Sequence, residues 1–171
     1  MKLTRFHPVL YMAFFLIVFA AVPVQAQTEE ESSQRLKFFI APQIEILGFS
    51  REGPAFGGGF AIGAEDRIAI GTRLMYMLDS EGLNTMEIAV FMRFYLLNSK
   101  DCTGLFVQVN GGAVVFEYKD NVSLPSEFGS LSAGISAGWR FPLRERWYIE
   151  PAIRAGYPFM VGVGLSAGFR F

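Results

Sequence analysis

Histidine and cysteine are almost absent from this sequence of 171 residues. The one histidine is His7, close to the N-terminus, and the one cysteine is Cys102. A single cysteine cannot form a disulfide within the chain, so Cys102 is interpreted as an incidental free thiol in a turn. Nucleophilic hydrolysis and transition-metal chemistry, as proteins usually build them, need imidazole groups or paired thiols. The composition therefore predicts a protein that is not an enzyme and that binds no metal and no other cofactor.

Long apolar runs are also missing, apart from one near the N-terminus. That run, residues 9–22, follows two basic residues and precedes the small-residue sequence VQAQ. A basic start, a short apolar stretch and a small-x-small site are typical of a secretory signal peptide, with cleavage after Ala26. The run is shorter than a membrane-spanning helix requires, and Pro23 interrupts it. Residues 1–26 are therefore predicted to be a signal peptide, and the protein to be secreted through the inner membrane.

A strong excess of charge of one sign is missing as well. Without Lys2 and Arg5 of the signal peptide, 13 basic residues remain against 16 acidic ones, a net charge of −3. Nucleic-acid binding needs lysine and arginine clustered on one face, so no nucleic-acid partner is predicted. Residues 27–35, QTEEESSQR, are polar and acidic and are predicted to form a periplasmic leader without regular structure.

Apolar residues are nevertheless half of the chain, and they alternate with small and polar ones. Successive side chains of a β-strand point to opposite faces, so this alternation predicts strands. Turn residues separate eight such segments. The predicted strands are residues 36–47, 55–64, 67–78, 85–97, 104–118, 128–141, 147–157 and 161–171.

The two faces of these segments differ in the same way along the whole chain. One face is built of Ile, Val, Leu and Phe, and the other combines Gly and Ser with isolated charges. These charged residues are Glu45, Arg73, Glu87, Arg93, Arg140, Glu150, Arg154 and Arg170. Isolated ions in a soluble core would be very costly, and a solvated outer face would not need so many glycines. The pattern therefore favours an apolar face against lipid and a polar interior.

The predicted fold is all-β, an eight-stranded antiparallel up-and-down transmembrane β-barrel over residues 36–171. A closed barrel satisfies every backbone polar group without an edge, as a bilayer requires. Pro42 and Pro151 fall inside the first and seventh strands, where β-bulges are predicted because proline has no N–H group. A soluble barrel or sandwich with one wet face per sheet is the alternative.

The interior charges have two interpretations, a plug of ion pairs and a polar channel or proton path. The plug is favoured, because eight strands enclose a space that side chains nearly fill. Inward-facing glycines leave room for bulky neighbours. These neighbours are Phe39, Phe91, Tyr95, Phe106 and Tyr148.

The last strand ends in AGFRF, with Leu165, Gly168, Phe169 and Phe171 in its final seven residues. This ending resembles the C-terminal strand of small Gram-negative outer-membrane barrels of the OmpX/OmpA-transmembrane type. The resemblance implies a location in the bacterial outer membrane, with outer-membrane lipid and the outer-membrane assembly machinery as partners. It also implies that these four residues belong to the signal that the assembly machinery reads. It covers the architecture of residues 36–171, with specific sequence similarity in the signal peptide and the last strand.

An even number of strands brings both ends of the barrel domain to the periplasmic side. EDR, NSKDCT and PLRER are then periplasmic turns, and the hairpin of residues 104–141 is the only one long enough to project from the surface. The predicted function is that of a non-enzymatic, monomeric outer-membrane barrel with a mainly structural role in the envelope and a surface contact through residues 119–127. The alternatives are a narrow small-solute or ion channel, a membrane-embedded lipid-modifying enzyme that needs no histidine, and a soluble lipocalin-like carrier of apolar ligands.

Overall fold

A computed structural model of the protein describes residues 36–48, 54–79, 83–118, 127–158 and 161–171. The predicted signal peptide and acidic leader lie outside these residues. All described residues belong to the unit Gln34–Phe171. The strands are β1 (Lys37–Gly48), β2 (Pro54–Glu65), β3 (Ile68–Asp79), β4 (Leu83–Tyr95), β5 (Gly104–Tyr118), β6 (Glu127–Pro142), β7 (Trp147–Tyr157) and β8 (Val161–Arg170).

Each strand pairs antiparallel with the next, and β8 pairs antiparallel with β1, so the sheet closes into an eight-stranded barrel. The predicted fold class is confirmed. The predicted strand bounds differ from the observed ones by at most two residues at each end. Among the described residues there is no helix long and apolar enough to cross a membrane.

The period-2 pattern decides which side chains fill the barrel. On β1, Phe39, Ala41 and Leu47 are buried, whereas Phe38 and Ile44 on the opposite face are 57% and 63% exposed. The other strands alternate in the same way, with most of their large aliphatic residues outside. The facing of the strands is therefore as predicted, with the charged residues in the interior and an apolar outer surface.

The bulges predicted at the two prolines are wrong. Pro42 pairs with Phe60, and Pro151 pairs with Leu165, in ladders whose register is the same on either side. On the other side of Pro42, the ladder between β1 and β8 passes over two residues and continues in register at Gln43. A missing N–H removes one hydrogen bond but inserts no residue, and the neighbouring pairs hold the register.

Two kinds of connection define the two ends of the barrel. The turn end carries residues 66–67, 96–103 and 143–146, and we call the opposite end of the strands the loop end. In the turn between β4 and β5, Cys102 and Gly104 have positive φ values of 51° and 79°. Cys102 lies in a turn and is not disulfide-bonded, as predicted, yet it is only 2% exposed because this turn folds over the barrel mouth. Its thiol donates a hydrogen bond to the carbonyl of Asp66.

Candidate functional site: the ion-paired barrel interior

The structure places all eight charged residues predicted for the interior on inward-facing positions of the strands, and each forms at least one ion pair. A ninth residue, Glu65, joins them. These nine side chains form two groups at different heights in the barrel. Together they contain five arginines and four glutamates, a net charge of +1.

The first group, the central quartet, consists of Glu45, Arg73, Glu87 and Arg154, which come from four different strands. Arg73 reaches Glu45 at 3.0 Å and Glu87 at 2.7 Å. Arg154 reaches the same two carboxylates, at 3.1 Å and 2.6 Å. Positive and negative groups therefore alternate around a closed ring. Such a ring balances its own charge, which is the condition for burying ions at tolerable cost.

The second group, the turn-end chain, is Arg93, Glu150, Arg140, Glu65 and Arg170 in order of contact. Arg93 reaches Glu150 at 2.6 Å, and Glu150 also pairs with Arg140. Arg140 reaches Glu65 at 2.6 Å, and Glu65 reaches Arg170 at 2.7 Å. The chain thus links β2, β4, β6, β7 and β8 across the barrel.

Aromatic rings surround the guanidinium groups of the turn-end chain. Arg140 has no exposed surface, and its guanidinium carbon lies 3.8 Å from the ring centre of Tyr148 and 5.1 Å from that of Tyr95. The guanidinium carbon of Arg93 lies 4.1 Å from the ring centre of Phe106. A guanidinium group is planar, delocalised and weakly hydrated, so it stacks on rings while its N–H groups bind carboxylates. These contacts explain why the cations of the turn-end chain are arginines.

Inward glycines accept rings from the neighbouring strand. The directly paired residues are Phe39 with Gly63, Phe91 with Gly71, Phe106 with Gly138, and Tyr148 with Gly168. In each pair a Cβ atom on the glycine would collide with the ring opposite. The predicted role of the inward glycines as space for bulky residues is therefore observed, with each ring lying over the glycine that is its cross-strand partner.

Glu65 is the member of the network that the sequence reasoning missed. The sequence pattern predicts that Glu65 lies in the turn EDR, but it is the last residue of β2 and has no exposed surface. Its carboxylate accepts a hydrogen bond from the hydroxyl of Tyr95 at 3.0 Å, in addition to its two arginine partners. The signal was present, since the inward positions of β2 from Ala55 onward recur every second residue and include position 65.

Side chains close the interior toward both ends. An apolar cluster of Leu47, Ala55, Met75, Met77, Val114 and Phe116 fills the loop-end half. At the turn end, Cys102 belongs to the cluster that contains the interior rings. A polar cavity of about 40 Å³ lies between the central quartet and the turn-end chain, lined among others by Gln43, Gln108 and Ser166. A cavity of this size and lining suits a few water molecules.

Clustered metal ligands are not found in the described parts of the chain, where no three His, Cys, Asp or Glu residues come together in a metal-binding arrangement. The interior carboxylates instead face arginines. This chemistry is suited to holding strands together rather than to binding a cation.

The four residues of the predicted assembly signal lie on β8 and just after it. Leu165 is 47% exposed on the outer surface, and Gly168 lies under the ring of Tyr148. The ring of Phe169 packs 5.2 Å from that of Phe171, whose backbone N–H donates to the carbonyl of Phe38 at 2.8 Å. The final strand is thus fully integrated into the closed sheet.

A closed, antiparallel, eight-stranded barrel with an apolar outside is the architecture of the small outer-membrane barrels. Similar solved structures include the N-terminal β-barrel domain of Pseudomonas aeruginosa OprF, with 16% identity, a TM-score of 0.52 and coverage of 80% of this chain and 100% of that chain. Neisserial surface protein A has 10% identity and a TM-score of 0.52, over 79% of this chain and 95% of that chain. Yersinia pestis Ail, in a phospholipid bilayer nanodisc, has 10% identity and a TM-score of 0.51, over 80% of this chain and 100% of that chain.

At these identities the likeness shows the fold, and the predicted resemblance to OmpX/OmpA-type barrels is confirmed at that level. No curated protein matches the chain. Residues 54–162 match the family described as Protein of unknown function (DUF3575), and the chain belongs to that family.

Proposed function

We propose that this protein is a non-enzymatic outer-membrane β-barrel of a Gram-negative bacterium, with a structural role in the envelope and a closed interior. One observation carries the proposal, namely that the charges are paired inside the barrel while large apolar side chains cover its outside. Leu131, Ile135 and Ile153, for example, are 72%, 60% and 62% exposed. An apolar surface that surrounds a closed barrel would aggregate in water and is stable in lipid.

An aromatic belt at the turn end supports insertion in a membrane. Its residues project outward near the ends of their strands and comprise Phe38, Phe94, Trp139, Phe141, Trp147 and Phe171. Aromatic residues of transmembrane barrels concentrate at the two interfaces between hydrocarbon and water. The belt would fix the depth of the turn end at one of these interfaces, and we propose that this is the periplasmic one, as predicted from the even number of strands.

The contents of the interior argue against a soluble carrier of apolar ligands. Such carriers enclose an apolar cavity of about 300–1,000 Å³. The cavity beside the central quartet is about 40 Å³ and is lined mainly by arginine, glutamate, glutamine and serine side chains. An apolar ligand would find neither space nor a suitable surface there.

A narrow channel is the second candidate function, favoured by the polar interior. The central quartet spans the barrel, and the apolar cluster lies between it and the loop end. Ions would have to separate these groups to pass, so the purified protein should show no steady conductance in planar lipid bilayers. Discrete single-channel openings of the wild-type protein would favour the channel instead.

The proposal is tested by the electrophoretic mobility of the protein in isolated outer-membrane fractions. A folded transmembrane barrel should migrate differently before and after boiling, and it should be found in the membrane fraction. Recovery from the soluble periplasm with unchanged mobility would contradict the proposal. The proposed surface contact through residues 119–127 falls mostly outside the described residues.

A further inference from the structure

A second, larger pocket lies at the turn end of the barrel, next to the ion-paired interior, whose Arg170 contributes to its lining. Its volume is about 380 Å³, in the size range of pockets that bind small molecules. Its lining carries four basic side chains against two acidic ones, a net charge of +2. The basic residues are Lys37, Arg144, Arg146 and Arg170, and the acidic ones are Asp101 and Glu145.

Three of these cations are available for a ligand. Arg170 is engaged, because it pairs with Glu65 at 2.7 Å and donates to the carbonyl of Cys102 at 2.7 Å. Lys37, Arg144 and Arg146 are exposed and form no ion pair with any described residue. Asp101 and Glu145 offset part of their charge without pairing with them, and the pocket keeps its net charge of +2.

Backbone hydrogen bonds hold the arginine-bearing turn in place. The N–H groups of Leu143 and Arg144 donate to the carbonyl of Trp147 at 2.8 Å and 3.3 Å. The N–H of Arg170 donates to the carbonyl of Arg146 at 2.9 Å, which joins the turn to the end of β8. The wall of the pocket also includes Tyr148, which is 1% exposed and whose hydroxyl has no hydrogen-bond partner among the described residues. The site is thus a shaped, cationic pocket.

The aromatic belt sets the depth of this pocket relative to a bilayer, since Trp147 belongs to both. Belt residues of membrane proteins lie at the level of the lipid headgroups. We propose that the turn-end pocket binds a phosphate group, and specifically that of an anionic phospholipid headgroup. The lipid source rests on the membrane location proposed above, whereas the phosphate chemistry of the pocket does not.

The test uses Trp147 as a reporter. The chain has two tryptophans, so Trp139→Phe leaves Trp147 as the only one. The full-length variant is refolded into phosphatidylcholine vesicles that contain either brominated phosphatidylglycerol or brominated phosphatidylcholine, whose bromines quench nearby tryptophan. Brominated phosphatidylglycerol should quench Trp147 more strongly at equal content. Arg144→Gln and Arg146→Gln should each lower the relative affinity for the anionic lipid about fivefold.

Arg67→Gln is the matched control, because Arg67 is exposed at the same end but does not line the pocket. This control should keep the preference for phosphatidylglycerol. An equal loss in Arg67→Gln, or a preference that persists in both pocket variants, would overturn the proposal in favour of a diffuse surface charge. A difference in mobility before and after boiling shows that each variant is folded.

A second measurement separates the two phosphate sources. In detergent micelles, inorganic phosphate is titrated against the Trp147 fluorescence of the same variants. One result would be that inorganic phosphate binds saturably, and more weakly to Arg146→Gln, while the vesicle experiment shows no preference for phosphatidylglycerol. That result would overturn the lipid source and assign the phosphate site to a free anion. No response to either probe would overturn the proposal. Failure of the membrane proposal itself would be seen separately, as absent quenching by brominated phosphatidylcholine.

Discussion

Arg140 shows at the scale of one residue how this interior tolerates charge. Its side chain is fully buried, yet it pairs with Glu65 and Glu150 and stacks on the ring of Tyr148. Each interior carboxylate likewise contacts two arginines. A buried ion pair adds little stability by itself, but the loss of one partner leaves the other charge buried without compensation.

Glu87→Ala should destabilise the refolded barrel by about 3–5 kcal/mol, because Arg73 and Arg154 lose a shared partner in the interior. Arg93→Ala should act in the same direction. The measurement is the melting temperature, or the midpoint of urea unfolding, in the same vesicles. Glu117→Ala is the control, since Glu117 is exposed at the end of β5 and should be nearly neutral. Equal destabilisation of the barrel by Glu87→Ala and Glu117→Ala would count against a structural role of the ion-pair network.

Cys102 should react with thiol reagents far more slowly in the folded protein than in the unfolded chain. Its burial, together with the nearby Glu65 carboxylate, raises the pKa of the thiol from 9.0 to about 11. The reactive thiolate is then about 100-fold less abundant at pH 8. Stability should also fall as the pH rises through the window between these two values, because only the unfolded thiol has lost its proton.

The reaction is followed with a chromogenic disulfide such as Ellman's reagent. The control is a cysteine at the exposed position of Lys100 in a Cys102→Ser background, which should react as fast as in the unfolded chain. Rapid labelling of Cys102 in the folded barrel would show that the turn does not cover the barrel mouth.

Between paired strands, an aromatic ring on one strand occupies the space that a glycine leaves on its neighbour. The four ring–glycine pairs all lie directly across the ladder, so each contact depends on the strand register. A slip by one residue would reverse the facing of every side chain on a strand. The pairs therefore help to specify register as well as to fill the interior.

Gly168→Ala tests this role of the glycines. The new Cβ would overlap the ring of Tyr148 on the neighbouring strand, and overpacking of this kind costs about 1–3 kcal/mol. Gly111→Ala is the matched control, because that position faces outward and the nearest atom would lie 3.8 Å from the added Cβ. Unfolding free energies in vesicles should fall for Gly168→Ala and stay level or rise for Gly111→Ala. Equal values would contradict the proposed packing.

A variant of the C-terminal residue can separate an effect on outer-membrane assembly in cells from an effect on the stability of the refolded barrel. Phe171 is 70% exposed, so Phe171→Ala should change the stability of the barrel refolded in vitro only slightly. If the terminal aromatic is part of a signal for the assembly machinery, the same variant should accumulate poorly in the outer membrane of cells. Leu97→Ala, at another exposed apolar position near the turn end, is the control. Normal assembly of Phe171→Ala would contradict the signal.

At the scale of the whole molecule, the described residues have the distribution of a membrane protein, with charges inside and apolar residues outside. Diluted from urea into phospholipid vesicles, the chain should gain β-sheet circular dichroism and a mobility that boiling changes. Diluted into buffer without lipid or detergent, it should aggregate, because the apolar surface has no other partner. Folding to a monomer in buffer alone would contradict a membrane location.

Periodicity is a local property, and it let the sequence alone predict strand number, strand bounds and facing. The alternation at Phe38, Phe39 and Ile40 assigns each side chain to a face without knowledge of any neighbour. The pairing of charges required the tertiary structure, because Glu45 and Arg154 are 109 positions apart and meet only when the barrel closes. Closure also decided where the strands end, so that β2 extends to Glu65, and it buried Cys102 in a turn. Such positions depend on the stagger of the strands and the path of a turn, which result from the whole closed sheet.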